Sequence, residues 1–193
     1  MDLPSTRPGG WDDPAAPSIP APLRLHTSTV PEAWVDYNGH MSEWCYLLVM
    51  GDNSDAFFRY IGIDDDYRAR GSSLFTVETH IRHLLEAGLG DELSVTLQVL
   101  GFDAKRVHIA HEVRRRDGDT IATGEQMLLH VDTTIGRAVA MPEALRARIG
   151  LVADSHRALG TPDWVGRVMT IPTPSASATT APATAPGGSW TSS

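Results

Sequence analysis

The chain has 193 residues, of which 41% are hydrophobic and 21% charged, the composition of one globular domain rather than a fibrous or disordered polymer. Acidic residues outnumber basic ones 24 to 16, and the resulting net charge of -8 repels polyphosphate backbones and argues against a nucleic-acid partner. No apolar run approaches the ~20 residues that cross a bilayer, the N-terminus lacks a basic start with an apolar stretch after it, and the single Cys45 can form no intrachain disulfide, so a reducing, cytoplasmic setting without membrane contact is expected.

Residues 1–22, rich in Pro, Gly and Asp, and 158–193, which become almost wholly Ser, Thr, Ala, Pro and Gly, carry too little apolar surface to offset ordering entropy. Disordered tails are therefore expected around a folded unit at 23–157. Within it, Arg24 to Val35 reads as a first strand, with Val30-Pro31 marking an edge or bulge because proline donates nothing to a ladder. Asp36 to Met41 is a polar break containing Gly39. Ser42 then stands where an N-cap belongs, Glu43 complements the dipole of a helix running to Ile61, and Gly62 fits a left-handed C-cap. From Trp44 to Met50 this helix is apolar all round, which requires enclosure on most sides; Asp52, Asn53 and Asp55 require a polar neighbour or solvent.

Four strands follow, at Ser73–Leu85, Leu93–Val99, Arg106–Arg116 and Thr120–Val131. The second alternates apolar and polar residues strictly, so one face of the sheet is buried. The short connections at Gly88–Asp91, Gly101–Asp103 and Asp117–Asp119 are hairpin signals and predict an antiparallel sheet. A last helix is expected from Pro142 to His156, with proline in its first turn.

The break before the long helix packs a carboxylate, an amide and an imidazole, Asp36, Asn38 and His40, into five residues at a helix N-terminus. Unpaired amides there, those of Met41 and Ser42, are placed to stabilise an oxyanion on a carbonyl, which Asp36 could attack directly or through an activated water. The competing reading is an Asx turn that caps the helix, and for Asn38 the two weigh equally. Cys45 beside His40 invites a thiol nucleophile, but a thiol inside an apolar helical run is normally packed and inert. The pairs His80/His83 and His108/His111 lie three apart on strands, point to opposite faces and so cannot chelate; no metal and no cofactor is expected. Serine-elbow, dinucleotide and phosphate-loop motifs are absent from the sequence.

The order of strand, long apolar helix and four hairpin-linked strands resembles the α+β hotdog fold, in which an antiparallel sheet of about five strands wraps one central helix. The Asp36–Gly39 spacing resembles the active-site loop of hydroxybenzoyl-CoA thioesterases. Asn38-Gly39-His40-Met41-Ser42 is similar to the acyl-ACP thioesterase run, with Ser42 in place of a second Asn. Val77-Glu78 and Leu85 to Asp91 extend the likeness. The resemblance implies a cofactor-free acyl-CoA thioesterase that pairs into a homodimer or homotetramer and builds its sites from both subunits.

Trp34 to Phe58 is most similar to the betainyl-CoA thioesterases of carnitine breakdown, which also occur fused to L-carnitine dehydrogenase. Trp34, Tyr37, Trp44 and Tyr46 are dense enough to form a cage for a quaternary ammonium, whereas Phe57 and Phe58 read as core. Glu78, with His80 and Arg82, falls on the polar face of its strand, either solvated or reaching the loop from a facing subunit. Lys105 is the only lysine, so positive charge is almost all guanidinium, which suits phosphate pairing; Arg82, Arg106 and Arg114 are the candidates for CoA phosphates. A thioesterase for aromatic or medium-chain acyl groups, or a non-catalytic acyl-CoA-binding hotdog protein, is the alternative reading.

Overall fold

The computed structural model describes residues 10, 11, 15 and 17–171. The expected tails fall largely outside them: most of 1–16, and all of 172–193, lie beyond the described residues. The period-two alternation around Leu93 to Val99 becomes strand β3 (Glu92–Phe102), whose Leu93, Val95, Leu97 and Val99 are buried. It is flanked by β1 (Leu23–Thr29) and β4 (Arg106–Arg115); beyond β4 come β5 (Thr120–Asp132) and then β2 (Ser72–His83). All these pairings are antiparallel, as the short Gly/Asp connections predict. The order β1-β3-β4-β5-β2 leaves β1 and β2 as the two edges of the main path.

Helix α1 (Glu43–Ile61) lies on one face of this sheet and closes with Gly62 at φ +96°, a conformation that L side chains rarely adopt. The Gly62 and Ile63 amides return to Phe58 O, satisfying the helix end. Phe57, Phe58 and Ile61 meet Leu97, Ile109 and Leu128 in one cluster; Cys45, Val49 and Met50 meet Val95, Val113 and Ala122 in another. Gly124 on β5 matters here because a Cβ would sit 2.3 Å from Met50 Sδ, so the Met50 side chain occupies the space that the missing Cβ leaves. Asn53 receives its polar neighbour from β4: its Nδ2 lies 3.0 Å from His111 Nδ1 in the buried interior.

Several boundaries differ from expectation. The first strand stops at Thr29 rather than Val35, because Pro31 opens a turn of 3-10 helix over Glu32–Trp34. A short helix α2 (Asp65–Ala69), capped by the Asp64 carboxylate accepting from Tyr67 N–H, and a two-residue strand β6 (Arg137–Ala138) beside β5 add to the predicted elements. The last helix, α3 (Glu143–His156), begins one residue after Pro142. Beyond it, Gly160 O accepts from Gln98 and Gly166 N–H donates to Glu125 on the sheet face away from α1.

The first half of α1 is not enclosed all round. Trp44, Leu47 and Leu48 are exposed along one stripe that continues to Gly51 at helical spacing, and Phe75, Val77, Leu84 and Leu85 are exposed along and just beyond β2. This apolar surface lies beside β2, an open edge of the sheet.

Candidate active site

The polar break folds into a tight hairpin. Asp36 N–H donates to His40 O at 2.9 Å, Gly39 N–H returns to Asp36 O at 3.0 Å with Gly39 at φ +83°, and Val35 bridges Met41. The Asp36 side chain completes an Asx turn, Oδ1 accepting from Asn38 N–H at 2.7 Å. The capping interpretation and the chemical one therefore coexist: one carboxylate oxygen is fixed by the loop, and Oδ2 has no partner among the described residues. Asn38 enters through its backbone, its own side chain being exposed.

The expected oxyanion donors need correction. Met41 N–H donates to Ala87 O at 2.7 Å and Ser42 N–H to Trp34 O at 2.8 Å, so neither is free for a ligand. Ser42 occupies the N-cap, although its hydroxyl makes no capping bond, and the Cys45 amide returns to Ser42 O. Those of Glu43 and Trp44, the first two residues of the helix, remain as the candidate donors.

The turn from Leu85 to Asp91 supplies the other wall. Gly88 N–H donates to Asp91 Oδ2 at 2.8 Å, while Val30 and Gly90 exchange backbone bonds with the turn and the first strand's end. This brings Glu86 to His40, Nε2 to Oε2 at 3.2 Å. Tyr46, buried under the loop, donates from its hydroxyl to Leu85 O at 3.3 Å and stacks edge-on against His83 at 4.8 Å. Burial pushes the Tyr46 phenol above its ordinary range, so it remains a donor. A groove of about 740 Å³ results, with Asp36, His40 and Glu43 on one side and Tyr46, His83 and Glu86 on the other. Tyr46, nominated by sequence for the aromatic cage, does line the groove, whereas Glu86 and His83 were not singled out as site residues; the only signal for Glu86 was its place in the 85–91 turn.

Residues 30–149 match the family model of the thioesterase-like superfamily, well over half of the chain. A betainyl-CoA thioesterase of Pseudomonas aeruginosa is 43% identical over 76% of this chain and 92% of its own. This chain belongs to the thioesterase-like superfamily. An L-carnitine dehydrogenase/betainyl-CoA thioesterase of Agrobacterium fabrum is 57% identical over 124 residues, 64% of this chain. The chain spans only 26% of that relative's length, the match lying within a longer, two-function protein. Among solved structures, a Staphylococcus aureus protein in complex with CoA superposes with a TM-score of 0.73 at 26% identity, covering 81% of this chain and all of that one.

On this thioesterase-like frame, the remaining predicted residues distribute unevenly. Strand register puts His83 on the helix side, opposite Ala122, and Arg82 on the other. Glu78 and His80 share that far side, where Glu78 lines a separate groove with His108 and Glu125; within one chain neither Glu78 nor Arg82 reaches Asp36. The two His-x-x-His pairs split between faces, as a strand demands. Arg106 begins β4 and is held by Asp103, whereas the last residue of that strand, Arg115, donates to Glu86 O; about 30 Å of strand thus separates Arg106 from the groove. Arg114 is committed to Glu112 and Gly118 O. Neither arginine is a free phosphate fork in this chain.

Of the four aromatic side chains expected to form a cage, only Tyr46 lines the groove of this chain. Tyr37 stands at the loop tip, 96% exposed, Trp44 is 55% exposed on the outer stripe of α1, and Trp34 packs under the hairpin. Cys45 is buried with its Sγ 3.8 Å from Trp34 O, and burial raises its thiol, which fits a packed rather than a nucleophilic role.

Proposed function

We propose that this chain is an acyl-CoA thioesterase that hydrolyses betainyl-CoA to glycine betaine and CoA. The observation that carries the proposal is that Asp36, its Oδ1 tied to Asn38 N–H, lines the same groove as Glu43, the first residue of α1. A thioester carbonyl seated against the Glu43 and Trp44 amides meets the positive end of the helix, which stabilises the charge that develops on its oxygen. Asp36 then either attacks the carbonyl carbon, expelling the CoA thiolate and leaving a mixed anhydride that water hydrolyses, or deprotonates a water whose attack expels the thiolate in a single stage. His40, oriented by Glu86, is placed to hand a proton to the departing thiolate. The substrate follows from the relatives' names, since a betainyl-CoA thioesterase matches over nearly its whole length.

The same reading includes a homodimer, or a dimer of dimers, joined along the open β2 edge and the Trp44-Leu47-Leu48 stripe. Pairing there would bring each groove against a second copy, from which the CoA phosphates and the aromatic side chains still missing from the groove would be met. The cytoplasm, where CoA thioesters are made, is the matching compartment.

The test is Asp36→Asn. With betainyl-CoA, kcat falls about 1000-fold or more while CoA binding by calorimetry stays within a few fold. Unchanged turnover, or a wild-type protein that binds CoA thioesters without releasing thiol, refutes the proposal; faster turnover of hydroxybenzoyl- or octanoyl-CoA reassigns the acyl group. Single turnover in heavy-oxygen water separates the two chemical routes, since label enters the Asp36 carboxylate only if it attacks directly.

A further inference from the structure

The groove around Asp36 has an uneven charge. Three carboxylates, Asp36, Glu43 and Glu86, line it from three separate segments, the loop, the first turn of α1 and the turn after β2. Among the described residues, no lysine or arginine lines it. The nearest guanidinium, Arg115, reaches only the Glu86 carbonyl and spends its other nitrogens on Asp117 and Asp119. Such a wall repels the phosphates of CoA and leaves a neutral acyl group without a partner, but it attracts a cation. Of the four aromatic side chains that sequence nominated for this task, only Tyr46 lines the groove; Tyr37 stands 96% exposed at the loop tip and Trp44 sits on the outer stripe of α1.

Resting on the thioesterase reading above, we propose that Glu86, assisted by Glu43, is the residue that selects acyl groups bearing a fixed positive charge next to the thioester carbonyl. A trimethylammonium donates no hydrogen bond, so it cannot be recognised by directional acceptors. It is recognised by net negative charge at short range and by apolar contact with its methyl groups. In a betainyl group the nitrogen is two bonds from the carbonyl carbon, so a cation near Asp36 falls inside the arc between Glu43 and Glu86. The Glu86 side chain is held toward this arc by His40, and 73% of it is still open to an incoming group. The Leu84 and Leu85 side chains beside it supply the apolar contact.

The decisive probe is 3,3-dimethylbutanoyl-CoA, which has the shape of betainyl-CoA with carbon in place of the charged nitrogen. In the wild-type protein the ratio of kcat/KM for betainyl-CoA over this neutral twin is expected to exceed about 100, and to fall as salt is raised. In Glu86→Gln the ratio drops about tenfold, and in Glu43→Gln by a smaller factor; taking the ratio cancels any general loss from an imperfect fold or a displaced His40. A ratio unchanged in both variants, or a wild-type ratio near one, overturns the charge selection while leaving a thioesterase. Failure of the wild-type protein to cleave either thioester overturns the functional reading itself.

Discussion

Acidification should weaken this fold through His111, and by an amount that can be worked from its surroundings. The imidazole is wholly buried between α1 and the sheet, and burial pushes its pKa down to about 4 from the ordinary 6.5. Asn53 Nδ2 meets Nδ1 at 3.0 Å, which makes Nδ1 an acceptor and puts the single proton on Nε2, 3.2 Å from Gln126 Oε1. The unfolded chain takes up a second proton near pH 6.5, whereas the folded one refuses it until about pH 4. Stability is therefore full above pH 6.5 and is lost as the pH falls toward 4. Linkage gives a loss of about 2 kcal/mol by pH 5 and about 3 kcal/mol at the limit.

The assay is urea unfolding at fixed protein concentration between pH 7.5 and pH 5, for wild type and His111→Gln. The variant has a constant cost from its altered hydrogen bonds, but it lacks this titration, so the gap between the two should close by about 2 kcal/mol on acidification. His156, whose pKa burial also lowers, titrates in both proteins and cancels. Parallel curves across this range would refute the reasoning.

Two further outcomes follow from packing. Gly124→Ala drives a methyl into Met50 Sδ and should cost about 1–3 kcal/mol in urea unfolding, with part of the loss recovered in the Gly124→Ala/Met50→Ala double variant; simple additivity would contradict the contact. Leu47→Glu puts a charge in the exposed stripe of α1; on the proposed pairing, sedimentation should show a dimer for wild type and a monomer for the variant, with kcat falling alongside, and an unaltered dimer or a monomeric wild type would refute pairing through this stripe.

The sheet was legible because its strands alternate and their connections are short: Leu93, Val95, Leu97 and Val99 of β3, and Val107, Ile109, His111 and Val113 of β4, are all buried. Helix α1 announced itself through Ser42 and Gly62. By contrast, the end of β1 depended on how Pro31 turns, and β6 exists only because the turn after Asp132 folds back on β5. The local part of the candidate site, Asp36 to His40, could be read because these five residues close their own hairpin. What could not be read was distant: the acceptors that occupy the Met41 and Ser42 amides are Ala87 and Trp34, and Glu86 reaches His40 from 46 positions away by residue number. The facing direction of Glu78 and Arg82 followed from period two, but which face holds the groove did not.

The stretch from Leu85 to Asp91 clasps the chain at Val30, Met41, Tyr46 and Arg115 at once. Adding or deleting a residue there would break several clasps together, whereas the hairpin tip at Asp117–Asp119 fastens mainly to its own flanks. A loop fastened in this way can exchange its side chains but not its length, so the residues that face the groove are free to drift while the backbone that carries them is not.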